Sequence, residues 1–347
     1  MTDVLGWDIG GVNTKVARVI RGRLAAVRSV QYEIQRDPTA LAPLLGRLAG
    51  ELGAGPDDAH ALTMTAELSQ LFRTKREGVR FVLDGIAAAF RGALVRVWAV
   101  DGRWRTPEAA RAEPLAVAAA NWAATARLVG RTYPDCILID VGSTTTDIIP
   151  VIAGEPAALG RSDPERLRTG ELVYTGALRT PAEALASTVP VHGEPAGVSA
   201  EGFALAGDVH LWRGQLSPAE YTVPTPDGRP ATREFAGERL ARVVCADRDM
   251  LDDSAISAIA DCLWDAQVVR IGAALDRVLA RHACLAGGSA VVAGLGEFLA
   301  AAAARRARLQ VVHLSETLGP PPAARHAPAA AVGLLLAAEL AAETTTA

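Results

Sequence analysis

Short apolar runs alternate along the chain with longer stretches whose apolar positions recur at helical spacing. The run Leu5–Ile9 reaches Gly10-Gly11 and resumes at Val12, which predicts two strands joined by a glycine turn. Helical spacing follows over Thr39–Leu52, then a strand over Ala59–Thr65 leading into Glu67, a helix over Gly78–Phe90 and a strand over Val95–Val100. Pro114–Val129, with proline near its start, predicts one continuous helix. A second strand, turn and strand begin at Ile137. Ile256–Leu279 predicts a long helix, Ala290–Ala293 a buried strand and Leu309–His313 a last strand. Gly319-Pro320-Pro321-Pro322 is a rigid punctuation before a terminal helix, whose alanine-rich stretch Ala329–Ala338 is expected to be buried. Alternating strands and helices predict an α/β fold.

Two segments echo each other. Leu5-Gly6-Trp7-Asp8-Ile9-Gly10-Gly11-Val12-Asn13-Thr14-Lys15-Val16 and Ile137-Leu138-Ile139-Asp140-Val141-Gly142-Ser143-Thr144-Thr145-Thr146-Asp147-Ile148 agree in pattern position by position. Each is a short apolar strand that reaches an Asp, turns through glycine and small polar residues, and resumes as a strand. Glycine in such a turn permits close backbone approach, so several N–H groups can converge on one anion. Gly10, Gly11, Asn13 and Thr14 form one candidate phosphate loop, and Gly142, Ser143, Thr144 and Thr145 the other.

Composition narrows the class. A length of 347 residues fits two domains, and half of the residues are apolar with 21% charged, the profile of a globular enzyme. A net charge of −4 offers no basic field for a nucleic acid, so a small ligand is the expected partner. Cys136, Cys245, Cys262 and Cys284 show no CxxC spacing and are expected to be buried free thiols. Neither a basic n-region nor a long apolar run opens the chain, which predicts a cytoplasmic protein without a membrane partner. Oligomeric state is not readable.

A third glycine turn, Gly294-Leu295-Gly296 running into Glu297, follows a buried strand and suits close approach of a nucleotide or other flat ligand. The three turns in this order resemble the two phosphate loops and the adenosine loop of the actin and sugar-kinase superfamily. The resemblance implies a two-lobed actin-like ATPase fold, ribonuclease H-like in each lobe, with an interdomain cleft. Its expected lobes are 1–129, completed by a C-terminal helix at 325–342, and 130–324, with Pro114–Val129 as the crossing helix. Asp8, Asp140 and Asp147 would face the cleft. A carboxylate about 5 Å from a phosphate charge repels it by roughly 3 kcal/mol at an effective dielectric of about 20. A Mg²⁺ held by those three residues reverses the sign, and Lys15 adds a further positive charge.

The stretches Gly6–Lys15, Leu62–Leu68, Asn121–Ala126, Ile139–Pro150 and Thr169–Gly176 resemble, in order, the hydantoinase/oxoprolinase-related proteins linked to tetrahydromethanopterin-dependent one-carbon transfer. Ala66 stands where the family pattern has glycine, and residues 189–214, with His192 and His210, do not align with that pattern. The resemblance implies a transferase of methanofuran or methylofuran biosynthesis that joins aminomethylfuran diphosphate to the phenol of γ-glutamyltyramine, releasing pyrophosphate. Lys15 would stabilise the departing diphosphate, and Glu67 and Glu171 are the candidate bases for the phenol proton. ATP is not required in this reading. Two alternatives stay open: an ATP-dependent kinase or hydrolase, and a non-catalytic nucleotide-binding regulator.

Overall fold

The computed structural model describes residues 2–319 and 323–346, so Pro320-Pro321-Pro322 of the proline punctuation lie outside the described residues. The chain runs β1 (Val4–Ile9), β2 (Asn13–Ile20), β3 (Arg23–Gln31), α1 (Leu41–Glu51), β4 (Ala59–Met64), α2 (Lys75–Ala89), β5 (Val95–Trp98) and β6 (Trp104–Arg105). There follow α3 (Pro107–Ala112), α4 (Pro114–Val117), α5 (Asn121–Gly130), β7 (Cys136–Val141), β8 (Thr146–Ile152), β9 (Glu155–Pro156), α6 (Asp163–Thr169) and β10 (Leu172–Val173). The remainder is β11 (Thr188–Val191), β12 (Glu194–Gly197), α7 (Ala206–Trp212), α8 (Arg233–Arg242), α9 (Asp253–Arg281), β13 (Ser289–Ala293), α10 (Glu297–Arg306), β14 (Gln310–His313) and α11 (Ala327–Thr346). Contacts divide it into two compact units, one of Met1–Leu138, Ile149–Arg168 and Val312–Ala347, the other of Ile139–Ile148 and Thr169–Val311.

In the first unit a sheet of order β3-β2-β1-β4-β5-β6 is antiparallel through β1–β3 and parallel between β1, β4 and β5. β1 is buried on both faces. Leu5, Trp7 and Ile9 enter a cluster with Leu41, Leu45, Leu62 and Val79. Gly6 faces the other way, against α11, where a Cβ would sit 2.1 Å from the Ala329 carbonyl oxygen. Asp8 shares that face. Residues 324–343 are the one described helical stretch long and apolar enough to cross a membrane, and α11 packs on β1, β2, β4 and α5.

The other sheet has the order β10-β8-β7-β13-β14, with β9 beside β8. In the second unit, Ile256, Ile259 and Leu263 of α9 share a core with Trp212 and Leu240. Beneath α7 and α8 the fully buried Arg239 donates from Nε to Asp208 at 2.8 Å and from Nη1 to Asp227 at 3.1 Å, a structural ion network.

Three expectations need correction. Pro114–Val129 is broken: α4 ends at Val117, Ala119 takes φ 49°, and α5 starts at Asn121. A left-handed residue interrupts the helical ladder, which alanine's high propensity hides in the sequence. The helix expected at Gly78 begins at Lys75, because Thr74 Oγ1 accepts from Glu77 N–H at 3.2 Å and caps it. All four cysteines are free, but only Cys136 is buried; Cys245 and Cys284 are exposed. Residues 189–214 hold most of the β11–β12 hairpin and α7, with His192 and Gly193 both at positive φ in the hairpin turn.

Candidate active site

The first unit gathers its polar residues at the C-terminal ends of β1 and β4, which lie side by side because the two strands are parallel. The β1–β2 turn closes with Gly10 N–H donating to Asn13 O at 3.0 Å, and a Cβ on Gly10 would come within 2.8 Å of that oxygen. Asp8 pairs across the sheet with Lys15 on one side and Thr63 on the other. Lys15 Nζ donates to Asp8 Oδ2 at 2.9 Å. Asp8 Oδ1 is buried with no hydrogen-bond partner, as are the hydroxyls of Thr14 and Thr63. His326, just before α11, is depressed to about 4, chiefly by burial and then by the Lys15 charge.

Glu67 stands on the turn after β4. Thr65 N–H donates to Ile9 O at 2.9 Å, and Gly10 lies against the Thr65 hydroxyl, which ties this turn to the glycine loop. Ala66 is absent from the residues with positive φ, so it fits without strain. Gly78 lets α2 rest on the turn, since a Cβ there would be 2.5 Å from Glu67 Cα. The Glu67 carboxyl is 2% exposed and neither oxygen has a hydrogen-bond partner. Lys75 Nζ is 3.7 Å from Glu67 Oε1 and 2.6 Å from Asp163 Oδ2. Burial raises Glu67 to about 7, against the smaller opposing pull of Lys75.

The second unit builds a matching loop. Gly142 N–H donates to Thr145 O at 2.9 Å. The loop is braced from behind: Ala177 N–H donates to Gly142 O, and the Leu178 and Arg179 N–H groups to Ser143 O. Gly176 is required there, because a Cβ would meet Thr144 N at 2.5 Å. The Ser143 and Thr144 N–H groups donate to no acceptor among the described residues, as an anion nest needs. Gly294, at φ 88°, lies against Asp140: a Cβ would fall 2.4 Å from Asp140 Oδ1. Gly296 N–H donates to Val141 O at 2.8 Å, and Glu297 opens α10. The second and third glycine motifs are thus in direct contact. Asp147 lies on β8 beside Leu172 of β10.

Glu171 differs from Glu67. It is buried, accepts from Thr169 Oγ1 at 2.9 Å, and has Arg281 Nη2 at 4.0 Å. His210 is buried between Gln215 and Gln267 and depressed to about 4, mainly by burial. Gln267 Nε2 in turn donates to Thr175 Oγ1 and Gly176 O, both at 2.9 Å, behind the Gly142–Thr145 loop.

No group of three His, Cys, Asp or Glu side chains is gathered among the described residues. The donors are nevertheless hard oxygens, with Asp8 Oδ1 buried and unused. A carboxylate of that kind is a ligand Mg²⁺ can take, since the ion uses one or two and completes its shell with water and substrate phosphate. Lys75, Asp163 and Gln267 were not among the sequence candidates. One signal pointed to Lys75: of 35 Lys and Arg residues only Lys15 and Lys75 are lysines, and each stands beside a buried carboxylate.

A family model described as hydantoinase/oxoprolinase matches residues 58–339. The chain is 37% identical over 295 residues, 85% of its length and 86% of the relative's, to the (4-{4-[2-(γ-L-glutamylamino)ethyl]phenoxymethyl}furan-2-yl)methanamine synthase of Methanocaldococcus jannaschii. To the protein of the same name from Methanococcus vannielii it is 41% identical over 117 residues, 34% of this chain and 52% of the relative. Among solved structures, the nucleotide-free acetone carboxylase aligns with a TM-score of 0.56 at 12% identity, over 95% of this chain and 70% of that one. A ROK family glucokinase from Streptomyces griseus, in complex with glucose and AMPPNP, aligns with a TM-score of 0.49 at 14% identity, over 96% and 98%. The fold is that of the actin-like ATPases, as the ordered glycine turns predict.

Proposed function

The chain belongs to the hydantoinase/oxoprolinase family, and from that membership we propose that it forms an aryl ether, condensing aminomethylfuran diphosphate with the phenol of γ-glutamyltyramine and releasing pyrophosphate. The observation that carries this reading is the identity to the archaeal synthase along most of both chains. The product in that synthase's name contains a phenoxymethyl link between an aminoethylphenol and a furan methanamine. The pathway served is methanofuran or methylofuran biosynthesis, linked to tetrahydromethanopterin-dependent one-carbon transfer.

The reaction makes one carbon–oxygen bond and breaks another. The phenol oxygen attacks the methylene carbon on the furan, and the electron pair of the carbon–oxygen bond leaves with the diphosphate. The phenol proton, held in solution with a pKa near 10, must go to a base. Glu67 has the required properties: a buried carboxyl, both oxygens without hydrogen bonds, raised to about 7. Glu171, held by Thr169 and facing Arg281, is the weaker candidate. Lys15 offers positive charge to the departing diphosphate, with the N–H groups of Gly11 and Ser143 as further donors, those of Gly10 and Gly142 being taken up by Asn13 O and Thr145 O. Asp8, whose Oδ1 is buried and unused, would be a carboxylate for Mg²⁺, which would neutralise the diphosphate when bound.

The test is direct. Purified protein incubated with aminomethylfuran diphosphate, γ-glutamyltyramine and magnesium should yield the coupled ether by mass spectrometry, with ATP neither needed nor hydrolysed. Absence of ether together with transfer or hydrolysis of the ATP γ-phosphate replaces this reading with a kinase-like one. ATP binding without turnover replaces it with a nucleotide-binding regulator.

A further inference from the structure

We propose that Lys75 and Asp163 form a positioning pair that sets the protonation of Glu67, an inference that rests on Glu67 being the base of the reaction above. Lys75 Nζ lies between two carboxylates, 2.6 Å from Asp163 Oδ2 and 3.7 Å from Glu67 Oε1. The first contact is a hydrogen bond and the second is only an ion-pair distance. Asp163 therefore holds the ammonium at the shorter distance and leaves its contact with Glu67 the longer and weaker of the two.

The placement is built by three local devices. Thr74 caps α2 and so starts the helix at Lys75. Gly78 brings that helix onto the Glu67 backbone. Arg166, one turn into α6 and 3.8 Å from Asp163 Oδ1, stacks 4.5 Å from the Trp122 ring and is buried there. The charged groups facing Glu67 are Lys75 from α2 and Asp163 from α6.

Two opposed failures are avoided. A direct hydrogen bond from Lys75 would hold Glu67 ionised and make it a poor proton acceptor. Without Lys75, burial would keep Glu67 protonated at neutral pH and unable to accept anything. In the arrangement seen, the phenol proton can pass to Glu67 and cancel its charge while Lys75 keeps its hydrogen bond to Asp163. Lys75 is therefore paired in either protonation state of Glu67. Lys75 lowers the affinity of Glu67 for its proton, and Asp163 raises it both by its own charge and by restraining Lys75.

The test separates charge-setting from mere scaffolding, because the two partners must act in opposite directions. Isotope-edited infrared titration, as the difference between wild type and Glu67→Gln, reads the Glu67 carboxyl without substrate. The wild-type midpoint should lie near 7. Lys75→Met should move it up by about one pH unit, and Asp163→Asn should move it down by a similar amount. Lys75→Arg, which keeps the charge, should leave it within a few tenths of the wild-type value, and covers the case in which Lys75→Met does not fold. The rising limb of kcat/KM for ether formation should follow the same order. Equal midpoints in all variants, or shifts of the same sign, overturn the inference. Opposite shifts that leave the kcat/KM profile unmoved overturn the link to catalysis. If wild-type protein forms no ether, the substrate reading falls while the titration still decides the pair.

Discussion

Asp8 and Asp140 stand at the same place in two hairpins closed by the same hydrogen bond, Gly10 N–H to Asn13 O at 3.0 Å and Gly142 N–H to Thr145 O at 2.9 Å. At the position that answers Lys15 in the first hairpin, the second carries Asp147. The first hairpin supplies its own cation, 2.9 Å from Asp8. The second carries Asp140 and Asp147 at the positions of Asp8 and Lys15, and braces its loop through Gly176, Thr175 and Gln267. The buried glutamates differ in the same sense: Glu67 has both oxygens without hydrogen bonds, whereas Glu171 accepts from Thr169. Congruent backbones thus serve different chemistry. In the reading proposed above, the first unit would supply the proton acceptor and a positive charge, and the second carboxylates and backbone N–H groups.

The contrast between the glutamates carries the largest expected effect. Glu67→Gln should lower kcat by about 10²- to 10⁴-fold and abolish the rise of rate near pH 7, as loss of a general base does. Glu171→Gln should leave that rise in place. Steady-state pH profiles decide it; equal losses in both variants would erase the distinction.

Lys15→Ala removes the cation that distinguishes the first hairpin. It should cost about 2 to 4 kcal/mol in transition-state stabilisation, tens to hundreds-fold, mostly in kcat. A rise confined to KM would mean that Lys15 serves ground-state binding alone.

The third expectation concerns stability. Glu67 is raised from 4.5 to about 7 on folding, so ionising it opposes the fold. That cost is absent below about pH 4.5 and complete above about pH 7, with a limit of about 3 kcal/mol. Glu67→Gln, which cannot ionise, should therefore gain stability relative to wild type as pH rises from 5 to 8. Parallel denaturation midpoints across that range would show that Glu67 is not raised.

The smallest effect tests the second hairpin. Pyrophosphate affinity should depend on Mg²⁺ and fall about tenfold in Asp140→Asn. Asp147→Lys, which gives the second hairpin the charge pattern of the first, should weaken the magnesium dependence. Calorimetry in chelator and in magnesium checks both; equally tight binding in chelator would remove the metal from the comparison.

Both hairpins, the Gly294–Gly296 turn and most strands were legible in the sequence because their information is local. An apolar run, an Asp and a glycine turn specify a hairpin within about a dozen residues, and the echo between two copies doubles the signal. The start of α2 was also legible, in the Thr74 and Glu77 capping pattern, but the apolar period used to place it begins only at Gly78. The break at Ala119 was not, since alanine favours the helix that the fold interrupts.

By itself the sequence determined the α/β alternation, the two glycine hairpins with their unequal charges, and a kinship specific enough to name a reaction. Only the tertiary structure decided which carboxylates are buried and which partners they meet. Lys75 and Asp163 are 88 residues apart and meet at 2.6 Å, and Glu67 is buried where α2 packs upon its turn. Burial and partner distance set a pKa, and both belong to residues that the fold, not the chain order, makes neighbours.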